Sequence, residues 1–503
     1  YRVNAFFEKK LYLFLFSITL VAISVFGNSE IPVKQILTEF NFFETLDLLA
    51  AKGGFFRTPD TILRFSIFFL SIIIMLLSFT LKSSNTNILS TTLRNIITTL
   101  PLVFFLTILT TDNFYNAIAI LLVTLSIYYT IFYAKRSFHR HEIILISSYI
   151  LILIYPFYNS LMHPSSLAEI DNYLRFLFAI PVYITLRDMH INLKFFLLSI
   201  GLASLLSGAL AIFQYLYING PVAGYSSSSS VFGAIVLFFS LISIMSTAYF
   251  DKNKFIQYFL YVSSSIGIMG WMLTGQRGLI LLIIFFGFFL FFTKSKSLLW
   301  TNKMPLLIIP SILILFFFTT PLFSRIINAY ESTYNHVTEG SGHYWNHKDS
   351  IVPRLTIWRG SINMIKENSV YGIGLDNFNK KLEEQISLGK IDPIRNHVTN
   401  KSAGMNHAHN QYLDIYVKTG IFGLMTLLIF LYIHIKYFRN GLNSDKSEYN
   451  LISLIGTLSV FNFSIVMFFQ TFLAHQQLIL FMCLMLVTIG AMKSNLNYRR
   501  NKI

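Results

Sequence analysis

Residues 405–423 read MNHAHNQYLDIYVKTGIFG, and residues 424–435 continue LMTLLIFLYIHI. A polar segment with two histidines passes within about three helical turns into an uninterrupted apolar run. Upstream the chain is polar over about ninety residues, 321–411, the one long break in a sequence otherwise built of apolar segments. Those segments have the roughly 17 to 25 residues that a helix needs to cross a ~30 Å hydrocarbon layer. Fourteen can be laid down, at 11–27, 61–81, 95–111, 114–134, 143–160, 174–187, 194–216, 230–250, 255–273, 277–293, 304–320, 412–435, 450–470 and 476–492. The limits are soft near Asn95 to Phe114 and Leu174 to Leu186, which sets the lower count at twelve. The expected fold is an all-α polytopic membrane protein of about 12–14 transmembrane helices. One integral membrane domain, 1–503, carries a single large external loop, 321–411.

Composition agrees and excludes a soluble globular chain: 54% of residues are hydrophobic, 12% are charged, and 51 are Phe, with mean hydropathy +0.59. Orientation follows from the basic residues. Arg2, Lys9 and Lys10, the loop Lys135 to Arg140, Arg187 with Lys194, Lys252 with Lys254, Lys294 to Lys303, Lys436 to Lys446 and Lys493 to Lys502 all fall on one side of this layout. The positive-inside rule makes that side cytoplasmic, together with both termini, and puts the long loop outside the membrane. The net charge of +16 is then a topology signal and an attraction to anionic membrane lipids, and no nucleic-acid partner is expected. The chain begins at Tyr1 rather than Met, so a few residues are expected in front, and its first apolar run lacks a cleavage site and reads as a retained span. The single Cys483 reads as an apolar packing residue.

Local patterns refine this outline. Phe40 to Leu49 reads as an amphipathic helix on the outer interface, ended by Lys52-Gly53-Gly54. Ser226 to Ser230, just before a span, suits either a phosphate-binding helix start or an N-cap with a flexible turn. In the loop, Arg325 to Glu331 reads as helical. Leu355, Ile357, Trp358, Ile362 and Ile365 predict an amphipathic helix over 354–367, closed by the turn Tyr371-Gly372-Ile373-Gly374.

Six of the twelve histidines lie in the loop: His336, His343, His347, His397, His407 and His409. His343-x-x-x-His347 and His407-x-His409 have the spacing of metal-ligand pairs, but no Glu lies within the first as in a zinc hydrolase and no Cys supplements either, so no metal site is expected. His409 precedes by less than a turn a helix whose Gly420 and Gly423 permit close packing. A neutral imidazole fixed there suits proton removal from a sugar hydroxyl. On spacing alone the plainer reading is an interfacial histidine reaching for water. Arg277, in Thr274-Gly275-Gln276-Arg277-Gly278, and Arg354, which heads the loop helix, both face outward. Each is either a snorkelling anchor or a fork for bidentate binding of a lipid pyrophosphate. Arg175 and Arg359 are secondary candidates of the same kind, as are His407 and Asn410 beside His409.

Taken in order, Leu273-Thr274-Gly275-Gln276-Arg277-Gly278-Leu279-Ile280-Leu281, Arg354-Leu355-Thr356-Ile357-Trp358, Tyr371-Gly372-Ile373-Gly374 and His409-Asn410 followed after nine residues by Gly420-x-x-Gly423 resemble the O-antigen ligase and O-antigen polymerase superfamily of bacterial envelope glycosyltransferases. The histidine motif resembles the ligases in particular, and the likeness covers the C-terminal half. The resemblance implies a GT-C-like membrane glycosyltransferase of the bacterial inner membrane, active at the periplasmic face, inverting, metal-independent and without cofactor. It implies undecaprenyl pyrophosphate as the glycan carrier and a sugar of the lipid A core as the acceptor. His409 would be the catalytic base, and Arg277 and Arg354 would bind the pyrophosphate. The region from Gly220 to Gly224 lacks an arginine that some relatives carry, which leaves the donor-sugar side open. A polymerase, with a second lipid-linked glycan as acceptor, is the alternative. A lipid-linked sugar flippase is a third reading, although transporters concentrate ionisable residues at mid-membrane.

Overall fold

The computed structural model describes residues 86–134, 137–163, 170–217, 222–292, 321–339, 344–345, 351–396, 404–442, 444 and 447–502. Apart from one two-residue pairing, their regular structure is helical. The first eight helices are α1 (Thr86–Thr107), α2 (Phe114–Phe132), α3 (Arg140–Met162), α4 (Asp171–Asp188), α5 (Leu193–Tyr217), α6 (Ser229–Ser246), α7 (Lys254–Thr274) and, after a 3-10 turn at Arg277–Leu279, α8 (Ile280–Phe292). The loop contributes α9 (Pro321–Glu339), α10 (Ile351–Glu367) and α11 (Phe378–Ser387), and α12 (Gln411–Arg439), α13 (Ser447–Phe469) and α14 (Gln476–Lys502) return to the bundle. Strands β1 (Tyr344–Trp345) and β2 (Arg395–Asn396) pair in parallel, joining two distant parts of the loop.

Among the described residues, α2, α3, α5, α6, α7, α12, α13 and α14 are long and apolar enough to cross a membrane. The chain is a polytopic membrane protein. The expected spans at 11–27, 61–81 and 304–320, the interfacial helix at 40–49, and the basic residues before α1 lie outside the described residues. At the bundle's centre stands α14, whose apolar window is 94% buried against 33% for α2. Phe481 on α14 meets Phe105, Phe238, Phe239 and Phe463 edge to face, the arrangement that ring quadrupoles favour. The α5–α7 crossing is close because both faces carry small residues. A Cβ on Gly208 would lie 2.8 Å from the Gly267 Cα, and Ser204 donates to Ser263 O at 2.9 Å.

The expected span at 174–187, whose limits are soft, falls within α4, which carries Asp171, Arg175, Arg187 and Asp188. At one end Arg175 pairs with Asp171 (3.2 Å), and at the other the buried Arg187 pairs with Glu142 (3.4 Å) and Asp188 (2.9 Å). An ion taken out of water is tolerated when it is paired in this way.

The two ends of the bundle differ in character. Gln477 joins the connections α1–α2, α5–α6 and α13–α14 at one end, through Ile108 O, Tyr225 O and Ser227 N. The loop packs on this same end, where Asn159 donates to Tyr371 O at 2.9 Å. The opposite end gathers Glu142, Arg187, Lys493 and Ser494.

The loop builds a small core of Ile357, Met364, Phe378 and Leu382, which also takes in Val417 from the first turns of α12. α10 forms where expected but presents a different face. Its buried residues are Val352, Pro353, Thr356, Ile357, Gly360, Ser361 and Met364, whereas Leu355 and Ile362 are exposed. The small residues decide this: a Cβ on Gly360 would lie 2.8 Å from Leu382, so α10 approaches α11 through its least bulky side. α11 itself was not anticipated.

One glycine joins loop and bundle. α12 breaks at Gly420, where φ is 71° and ψ −169°. In an unbroken helix the Ile421 N–H would donate to Val417 O. Here Ile421 N donates to Ser369 O (2.9 Å), while Val417 O and Lys418 O accept from Ile373 N (2.9 Å) and Gly374 N (3.0 Å). The turn expected at Tyr371 to Gly374 thus supplies the partners that the broken helix lacks. Gly372 is part of the same lock, since its φ is 73° and a Cβ there would lie 2.5 Å from Lys418 O.

Gly420→Ala should therefore lose at least the ~1–3 kcal/mol of left-handed strain, together with the clash that its Cβ would make with the Val370 carbonyl. Gly287→Ala, which meets nothing within 4 Å, should stay within about 1 kcal/mol of wild type. Thermal unfolding of the two purified variants in detergent checks the difference, and equal melting temperatures would refute the interlock.

Candidate active site

The Thr274-Gly275-Gln276-Arg277-Gly278 motif ends one helix and starts the next. Gly275 caps α7 in the left-handed region, with φ 66°, a conformation nearly free for glycine and costly for other residues. Trp271 Nε1 holds the turn by donating to Gln276 O at 3.2 Å. Arg277 then projects from the 3-10 turn and donates through Nη1 to the main-chain oxygen of Arg325, on α9. Arg325 in turn lays its guanidinium over Gly275, where a Cβ would lie 2.7 Å from its Nε.

These groups line a cavity of about 420 Å³ at the loop-covered end of the bundle. Arg277, Arg325 and Arg354 contribute to its wall, with Ser230, Trp358 and Gln470 among the other lining residues. None of the described residues lining it is acidic. Three fixed cations in one concave site create the positive potential that an anionic ligand needs. Burial pushes the Arg325 pKa below its ordinary value because desolvation disfavours the charged form.

The histidines adjoin this cavity through α10. Trp358, on the cavity wall, donates Nε1 to Ala408 O at 2.9 Å and so ties the His407-Ala408-His409 segment to the helix that carries Arg354. The segment is held from the other side by Asp414, whose Oδ1 accepts from Ala408 N at 3.0 Å and whose Oδ2 pairs with Lys418 at 3.1 Å. His409 has φ 51°, a left-handed conformation unusual for a non-glycine residue and a mark of functional sites where surroundings enforce it. Its ring meets that of His407 edge-on at 4.3 Å between centroids, and His407 is 6.2 Å from His475. Nε2 of His475 lies 2.6 Å from Nε2 of Gln470, which returns to the cavity wall.

Burial first, then repulsion of a second proton by the neighbouring His407, Arg354 and His475, hold His409 well below the usual imidazole pKa. His407 is also lowered, first by burial, with Asp414 opposing. His475 is pushed down to about 4, first by burial and then by His407. Near neutral pH the three rings are therefore uncharged, and a neutral ring has a lone pair with which to accept a proton.

The structure brings Arg277 and Arg354 into one cavity and sets His409 and His407 beside it. Arg175 and Arg359 do not line it. Arg175 is engaged on α4 with Asp171 and Asn172, while Arg359, five residues after Arg354 and so about 140° around the helix, is exposed. Asn410 is the N-cap of α12, its Oδ1 accepting from Tyr412 N (3.0 Å) and Leu413 N (3.1 Å). In the serine run, Ser228 caps α6 and Ser230 reaches the cavity. His343, His347 and His397 lie outside the described residues, as does the side chain of His336. Arg325, Gln470 and His475 were not anticipated. A guanidinium at the start of a loop helix was a signal for Arg325, but no motif marks Gln470 or His475.

Residues 262–428 match the family described as O-antigen ligase. The match runs from α7 into α12 and contains Arg277, Arg325, Arg354 and His409. The chain is also 28% identical to an uncharacterized protein of Haemophilus influenzae over 381 residues, 74% of this chain and 92% of that one.

The lowered histidine pKa values have a consequence for stability. The unfolded chain binds more protons than the folded one, so stability is fully present above about pH 6.5 and is lost as pH falls toward the His475 value of about 4. The melting temperature should drop between pH 7.5 and 5.5, and His475→Gln should lessen that drop. An equal drop in both proteins would exclude His475 as a contributor.

Proposed function

We propose that this chain is a member of the O-antigen ligase family that its residues 262–428 match, and that it transfers a glycan from undecaprenyl pyrophosphate to a sugar hydroxyl of the lipid A core, at the periplasmic face of the bacterial inner membrane. The observation that carries the reading is the cavity that holds Arg277 and Arg354, with no acidic residue among the described residues lining it, next to a neutral histidine. The acceptor hydroxyl gives its proton to the His409 imidazole as its oxygen forms a bond to the anomeric carbon. On the opposite face of that carbon the bond to the pyrophosphate oxygen breaks, and its electron pair leaves with the undecaprenyl pyrophosphate, so the configuration inverts. Negative charge grows on the departing group, where Arg277 and Arg354 hold fixed positive charge. Such preorganised stabilisation lets the group leave without a general acid. In this reading the guanidinium charges stabilise the leaving group without a metal. The basic loops at the end away from the cavity support the periplasmic assignment.

Lipopolysaccharide from a deletion strain tests the acceptor. Core without any O-antigen, with polymerised lipid-linked glycan still present, is the expected result, whereas core bearing one repeat would identify a polymerase. In the same strain His409→Ala should insert normally and fail to restore transfer, with a loss of about a hundredfold or more. Activity within about tenfold of wild type would remove the general-base role.

The arginines make a separate prediction. Lysine keeps the charge of Arg277 and Arg354 but not the planar fork. Each lysine variant should slow transfer by about ten- to a hundredfold, the equivalent of one charge-assisted hydrogen bond of roughly 1.5–3 kcal/mol. Arg359→Lys, exposed on the other side of α10, should transfer at nearly the wild-type rate. Steady-state kinetics of the purified variants with a lipid-linked donor decide this, and full activity of both lysine variants would make these arginines membrane anchors.

A further inference from the structure

The end of α13 reaches both halves of the site. Gln470, which follows that helix, lies in the cavity wall with the arginines, and its Nε2 is 2.6 Å from Nε2 of His475, whose ring neighbours that of His407. We propose that Gln470, oriented by His475, reads the first sugar of the donor by accepting a hydrogen bond from the hydroxyl or amide group on the carbon next to the anomeric one. This rests on the reading of the cavity as the donor site and of His409 as the base.

The place of the sugar follows from the reaction. Inversion needs the base and the leaving group on opposite faces of the anomeric carbon, so the first sugar lies between the arginines and the histidines. Gln470 shares a wall with the arginines and a hydrogen bond with the histidine cluster, which sets it alongside that ring. Among the sugar's own donors, the group next to the anomeric carbon is nearest the reacting bond. A hydrogen bond made there strengthens as positive charge develops at the anomeric carbon.

The chemistry of the side chain fits a sugar rather than a phosphate. Gln470 is 6% exposed, and a buried amide is stable only when its ends find partners. His475, neutral near pH 7, offers the Nε2 lone pair to the amide hydrogen and so fixes which way the amide is turned. The amide oxygen has no hydrogen-bond partner among the described residues. An uncharged acceptor receives O–H and N–H groups and repels phosphate oxygens, so it complements the neutral part of a glycosyl diphosphate. Ser230 and Gln276 add further neutral polar groups to the described wall. A site that hydrogen-bonds one substrate group discriminates against the analogue without it, because its own polar atom is then left unpaired.

The test measures binding without transfer, using the purified full-length protein in detergent with two probes, farnesyl diphosphate glucose and its 2-deoxy analogue. Wild type should bind the glucose lipid about tenfold more tightly than the deoxy lipid. Gln470→Met keeps the length of the side chain and removes both ends of the amide. It should weaken the glucose lipid to the level of the deoxy lipid and leave the deoxy lipid nearly unchanged, whereas a merely structural defect would weaken both probes alike. His475→Phe keeps a ring and removes the acceptor that turns the amide, and should lose part of the preference. It carries the test if Gln470→Met does not fold. A preference that survives Gln470→Met, or that survives His475→Phe where the first variant does not fold, overturns the proposal and leaves the donor reading intact. Wild type that binds the two glycosyl lipids equally well has the same meaning. Wild type that binds neither overturns the donor reading as well.

Discussion

The loop-bearing end of this protein depends on the break in α12 at Gly420. A helix cannot lose two hydrogen bonds in a low-dielectric setting unless other groups replace them, and the replacements come from Ser369, Ile373 and Gly374 in the loop. The break therefore forces the loop to dock in one register. Docking sets α10 over the bundle, α10 carries Arg354 into the cavity, and Trp358 on the same helix holds the backbone beside His409. A packing constraint between two glycines, Gly372 and Gly420, thus controls the relative position of a cation and a base that are 55 residues apart in sequence.

The second constraint is electrostatic. Placing three arginines in one concave wall costs free energy, and backbone meets part of that cost. Carbonyl oxygens of Arg325 and Gly275 accept from the Arg277 and Arg325 guanidiniums, which steadies them. On α4, Arg175 and Arg187 are paired with acids, which lets that helix carry its charges into the bundle.

Much of this was legible in the sequence because it is written in local patterns. Span lengths located α2, α3, α5, α6, α7, α12 and α13 to within a few residues and the start of α14, whose polar end continues ten residues past the expected limit at 492, since an apolar run of that length has few other uses. Charge placement on consecutive connections located the loop-bearing end. The positive φ of Gly275 and the turn at Gly372 and Gly374 were foreshadowed by glycines at helix boundaries. What was not legible depends on contacts between distant segments. The buried face of α10 turned out to be its small residues, because α11, unseen in sequence, approaches so closely at Gly360. Arg354 and Arg359 look alike in a string and are separated only once the helix is placed against the bundle.

The histidines show where local reading stops for a deeper reason. A boundary imidazole in sequence has no environment, and its basicity is a property of environment alone. In the structure burial, together with the charge of Arg354, lowers the basicity of His409. That makes His409 a weaker base than a free imidazole, but it also keeps the ring unprotonated at neutral pH. In the transfer proposed above, the charge that keeps this imidazole unprotonated is the same charge that would draw a phosphate to the arginines, so base and leaving-group side would share one electrostatic setting.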